Sequence, residues 1–79
     1  MITRYIEKAL SRASYQALED DSYCATVRGL KGVVALGRTV EECRRELADV
    51  IEAWILVRVA RGLTVPPLGG VAIKIKRAS

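Results

Sequence analysis

The stretch Gly37-Arg38-Thr39-Val40-Glu41-Glu42-Cys43-Arg44-Arg45-Glu46-Leu47, which continues to Arg61-Gly62 without a glycine or proline, decides how the chain folds. Thr39 has the side chain of a helix N-cap, and Glu42, three residues on, completes a capping box. Glu41 and Glu42 also stand at the positive end of the helix dipole, and Glu41 precedes Arg45 by four, a favourable pairing. A helix is expected from Val40 to about Arg61, roughly 33 Å at about 1.5 Å per residue. Gly62 supplies the residue that ends it, and Pro66-Pro67 prevents a restart. Its first half carries one apolar stripe: Val40, Cys43, Leu47, Val50 and Ile51. From Ala53 on, apolar residues surround the axis, interrupted only by Arg58. A helix apolar all round is buried all round. One small sheet covers one side, so Trp54, Ile55, Leu56, Val57 and Val59 are expected at an interface with a second copy, in a homodimer or tetramer.

Upstream, Val33 to Arg38 reads as a strand in which Val33, Val34, Ala35 and Leu36 are apolar without alternation, so both its faces are expected to be covered. Gly29 and Gly32 place a loop before it. Tyr23 to Val27 and Tyr15 to Leu18 are two more strands, joined by Glu19-Asp20-Asp21-Ser22 as a hairpin connection. In Tyr23 to Val27, the residues Tyr23, Ala25 and Val27 share one face and Cys24 and Thr26 the other. Met1 to Ala13 reads as a short helix with Ile2, Ile6, Ala9, Leu10 and Ala13 inward and Arg4, Lys8 and Arg12 on the opposite side. Val71 to Lys76 alternates and reads as a final strand. Residues 1–79 are then one α+β domain: a short helix, a three-stranded antiparallel meander, a long crossover helix and a fourth strand.

The composition narrows function by exclusion. Seventy-nine residues form a small core, so association is the natural support. With no histidine, Ser-His and Cys-His nucleophiles and ordinary zinc sites are out. No cofactor or metal is expected, and no catalytic residue stands out. Glu19, Asp20 and Asp21 are neighbours in one turn, whereas a metal-dependent nuclease needs carboxylates converging from several elements. They read first as a solvated turn and second as a partner contact. Arg4, Lys8 and Arg12, in a chain of net charge +4, read likewise as a solvated stripe or as a contact for an acidic partner. Lys74, Lys76 and Arg77 have a plain role in protecting a strand edge. The start of the chain lacks the apolar core of a signal peptide, and no apolar run approaches a membrane span. A reducing, cytoplasmic setting with Cys24 and Cys43 as free thiols is expected.

Four stretches resemble the HicB-like antitoxin family: Tyr15-Gln-Ala-Leu-Glu-Asp, Tyr23-Cys-Ala-Thr-Val, Gly32-Val-Val-Ala-Leu-Gly, and Thr39-Val-Glu-Glu-Cys continuing to Trp54. The family's Gly-x-Thr-x-Glu-Glu element stands here as Gly37-Arg38-Thr39-Val40-Glu41-Glu42. The resemblance covers roughly Tyr15 to Pro66 and implies a partial, inactive relative of the RNase H fold. It also implies a non-enzymatic antitoxin in a prokaryotic toxin–antitoxin system, masking a HicA-like RNA-cleaving toxin. The loop Arg28-Gly29-Leu30-Lys31-Gly32 lacks the prolines common in the family. The chain ends at Ser79, directly after the last strand, so the family's C-terminal DNA-binding domain and a specific duplex site are not expected. The alternative is a small nucleic-acid-binding or protein-interaction module that uses the basic N-terminal helix and the C-terminal tail.

Overall fold

In the computed structural model, which describes residues 2–71, the elements are α1 (Ile2–Ser11), β1 (Ala13–Ala17), β2 (Tyr23–Val27), β3 (Val34–Gly37) and α2 (Val40–Ala60). At the head of α2, the Thr39 hydroxyl accepts from the Glu42 amide at 3.0 Å. The Glu42 carboxylate reaches back one residue further than in the ideal box, accepting from the Arg38 amide at 3.0 Å. At the far end Gly62 takes φ 69, the Leu63 amide donates to the Arg58 carbonyl at 2.8 Å, and the Gly62 amide donates to Val59 at 3.1 Å. That pair of bonds is a Schellman ending, which a left-handed residue permits. Both signals read from the sequence therefore set the helix bounds.

The three strands form one antiparallel sheet in the order β1-β2-β3, with Ala13 opposite Val27, Tyr23 opposite Gly37 and Ala25 opposite Ala35. α2 crosses its inner face and α1 packs beside α2. The core joins Ala25, Val27, Val33 and Ala35 to Cys43, Leu47, Ile51 and Ile55, closed at one side by Tyr5, Ala9, Leu30 and Leu68. Each large apolar side chain so buried stabilises the fold by about 1.5–3 kcal/mol.

Several expectations change. α1 stops at Ser11, because Ala13 is drawn into the pairing with Val27 and begins β1. The Ser11 hydroxyl donates to the Lys8 carbonyl at 2.6 Å, a local bond of the kind that competes with helix continuation. Tyr5 is not among the inward residues that helical spacing picks out, yet it is fully buried, with its hydroxyl donating to the Pro66 carbonyl. β3 is covered on one face only. Ala35 is 3% exposed, whereas Val34 and Leu36 are 49% and 59% exposed. The unbroken apolar run marks an edge strand with a bare outer face among the described residues.

Gly37 is required by close approach. A Cβ there would lie 2.6 Å from the Cys43 nitrogen and 2.9 Å from its Cα, against the first turn of α2. Near the other end, Leu68 and Val71 exchange backbone bonds of 2.8 Å around Gly69 (φ 50) and Gly70 (φ 83). Positive φ at both central positions makes this a type I′ turn. The fourth strand expected over Val71 to Lys76 lies outside the described residues beyond Val71.

Candidate functional site

The acidic turn is organised by its own bonds. The Leu18 amide donates to the Ser22 carbonyl at 2.8 Å and the Asp21 amide donates to Leu18 at 3.2 Å, with Asp21 at φ 64. This is a three-residue hairpin loop whose last residue is left-handed, a conformation Asp tolerates better than most. Asp20 accepts from the Ser22 hydroxyl at 2.5 Å and from the Ser22 amide at 3.2 Å. Those bonds hold the Asp20 carboxyl below its ordinary range. Part of this acidity therefore has a plain structural use.

The register then gathers charge that the sequence leaves scattered. Because Tyr23 pairs with Gly37, the turn stands at the same end of the sheet as the start of α2. Asp20, Asp21 and Ser22 line a hollow with Arg38. Beside it, Leu36, Gly37, Glu42, Arg45, Glu46 and Asp49 line a groove between β3 and α2. Glu19, Asp20, Asp21, Glu41, Glu42, Glu46 and Asp49 thus share one end with only Arg38, Arg44 and Arg45. At the other end of the sheet, where Ala13 pairs with Val27, the flanking charges are Arg12, Arg28 and Lys31. A basic chain therefore has an acidic end.

Arg4, Lys8 and Arg12 do not act as one stripe. Arg4 and Lys8 line a hollow with Glu7, Ser11, Gly69 and Val71, and the Lys8 stem fills the space that a side chain at Gly69 would need. Arg12 lies beyond the end of α1, exposed at the head of β1. Lys74, Lys76 and Arg77 lie outside the described residues.

The five residues expected at an interface separate into three groups. Ile55 is wholly buried in the chain's own core, so its place on a seam is corrected. Trp54 and Val59 are partly buried against that core. Leu56 and Val57 are 54% and 50% exposed, and Leu63 just beyond is 46% exposed. These three make an exposed apolar ridge at the end of α2 among the described residues. Arg58 is more than an interruption. Its guanidinium lies 5.1 Å from the centroid of the Trp54 ring, and its Nε donates to the Thr64 carbonyl at 2.6 Å, tying down the loop after α2.

Cys43 is buried, with its thiol 3.4 Å from the Ala35 carbonyl and 3.6 Å from that of Tyr23. Burial pushes this thiol up, and nearby Cys24 adds to the shift. Both cysteines are free. Among the described residues, no group of three or more Cys, Asp and Glu side chains is placed to hold a metal ion, and no helix is long and apolar enough to cross a membrane.

The chain belongs to the UPF0150-like family, whose sequence model matches residues 4–66. It is similar to TTHA0281 from Thermus thermophilus, known from a crystal structure. The two are 39% identical over 96% of this chain and 95% of that one, with a TM-score of 0.88. No curated protein matches the chain.

Proposed function

We propose that the protein is a non-enzymatic, HicB-like antitoxin domain that masks a small basic RNA-cleaving toxin of HicA-like kind. On that reading the fold is a partial relative of the RNase H fold. The observation that carries the masking role is the acidic end, where Glu19, Asp20 and Asp21 stand beside Glu41 and Glu42. RNA-cleaving proteins carry positive charge to hold phosphates. For a chain of net charge +4, a local surface of opposite sign is what favours contact with such a protein. Masking needs steric and electrostatic complementarity and no reacting groups. The ridge of Leu56, Val57 and Leu63 supports assembly with a second copy, since soluble monomers seldom leave contiguous apolar surface open.

Co-expression with a HicA-like toxin, followed by affinity capture and growth measurement, tests this. The expected result is a complex that relieves growth arrest and is lost in the double variant Asp21→Lys, Glu41→Lys. Arrest unaffected by the intact chain would overturn the masking role.

The basic end favours one rival reading, a nucleic-acid-binding module using Arg12, Arg28 and Lys31. Single-stranded RNA bound tightly at physiological salt, with a steep salt slope, would establish that reading instead.

A further inference from the structure

We propose that the open edge of β3 binds an extended basic segment of the partner, one in which apolar residues alternate with Lys or Arg. The inference rests on the masking role for the identity of that partner and defines the chemistry by which it is recognised.

Among the described residues β3 has a neighbouring strand on one side only. On its other side no described residue pairs with its backbone donors and acceptors, which an incoming strand can use. Edges are ordinarily guarded by charged residues, proline or a bulge. Val34-Ala35-Leu36-Gly37 contains no charge and no proline, and pairs in continuous register with β2. This edge is therefore suited to adding a strand.

The two surfaces flanking the edge differ, and that difference sets the pattern of the ligand. Successive side chains of an added strand point to opposite faces of the sheet. On the outer face they would meet Val34 and Leu36, both about half exposed, which favours apolar residues. On the inner face they would lie over the groove lined by Glu42, Glu46 and Asp49, with Arg45 the one cation there. Three carboxylates against one guanidinium favour Lys or Arg at those positions. Four paired residues span about 13 Å, so a segment of five or six residues suffices.

A second copy of β3 fits less well. It would bring its own acidic groove up to the first, and its inward residue, Ala35, has no charge to offer.

The test is titration of the isotopically labelled full chain with a synthetic decapeptide of alternating valine and lysine, followed by amide chemical shifts. A valine–glutamate decapeptide serves as control. Shifts should concentrate on Val34 to Gly37 and on the Glu42 to Asp49 turns of α2, and only with the lysine peptide. Affinity should fall about tenfold or more between roughly 0.05 and 0.5 M salt, as exposed charge pairs are screened. The double variant Glu46→Lys, Asp49→Lys, at exposed positions, should lose about tenfold or more while keeping its fold, and Leu36→Lys should block the edge. Shifts confined to α1 or to the Leu56 ridge, equal binding of the glutamate peptide, or protection of β3 by self-association without peptide would each overturn the proposal. The outcome is separable from the masking role. A toxin captured equally by the intact chain and by Leu36→Lys removes the edge site alone. Peptide binding at β3 with no toxin captured removes the masking role alone.

Discussion

Gly37 stands where the long helix begins, and its lack of a side chain lets the Cys43 backbone come within van der Waals reach of the strand. Gly37→Ala should therefore lower stability by about 1–3 kcal/mol, because backbone rather than a flexible side chain must move. An unchanged thermal midpoint by circular dichroism would contradict this. Tyr5 and Cys43 set the alkaline limit. Burial raises the Tyr5 hydroxyl above its ordinary value of 10.0, opposed by Arg58, and raises the Cys43 thiol above 9.0. Both groups are held neutral in the fold, so their contribution is complete below the ordinary values. It is lost as pH rises from about 9 through the raised ones. The midpoint should fall over that window. Tyr5→Phe should cost about 1 kcal/mol at neutral pH, by leaving the Pro66 carbonyl without its donor, and should make the alkaline fall shallower. Tyr5 is hard to read from sequence because a short helix with Ile2, Ile6, Ala9 and Leu10 already has an apolar face. Only the return of the chain at Pro66 gives the hydroxyl an acceptor.

Local chemistry is the legible part of each element. Thr39 and Gly62 mark the ends of α2 because caps are made by neighbours in sequence, and the Tyr23–Val27 strand has the bounds its residue types suggest. Facing is less legible. An apolar residue at every position of β3 is compatible with two covered faces or with one face awaiting a partner, and composition does not separate them. α2 shows the same difficulty at single-residue resolution. Ile55 and Leu56 are neighbours of similar character, yet one is fully buried and the other 54% exposed, since successive helical residues turn by about 100°. Their glutamate variants should consequently diverge. Ile55→Glu places a charge in the core and should unfold the chain, while Leu56→Glu should keep the native circular dichroism spectrum. Matching behaviour of the two would show that the ridge and the core are not distinct.

For the molecule as a whole, the information missing from the sequence is the sheet register. Nine carboxylates among 79 residues show no pattern until Tyr23 pairs with Gly37, which sets the acidic turn beside Glu41 and Glu42 and leaves Arg12, Arg28 and Lys31 at the opposite end. The same scale governs assembly. A chain of this length buries only about 60% of its unfolded surface, so its own core leaves little margin. Leu56, Val57 and Leu63 remain near half exposure while the core beneath them is closed. Covering the ridge with a second copy would add about 1 kcal/mol for each half-exposed side chain on each subunit. Association at that strength couples folding to concentration, because the assembled form is favoured by mass action. The thermal midpoint should therefore rise with protein concentration from the low to the high micromolar range. Light scattering at tens of micromolar should give more than one chain per particle, and Leu56→Glu should remove both effects while leaving a folded chain. A midpoint independent of concentration, together with a monomer mass, would mean that the ridge is tolerated bare or reserved for another protein.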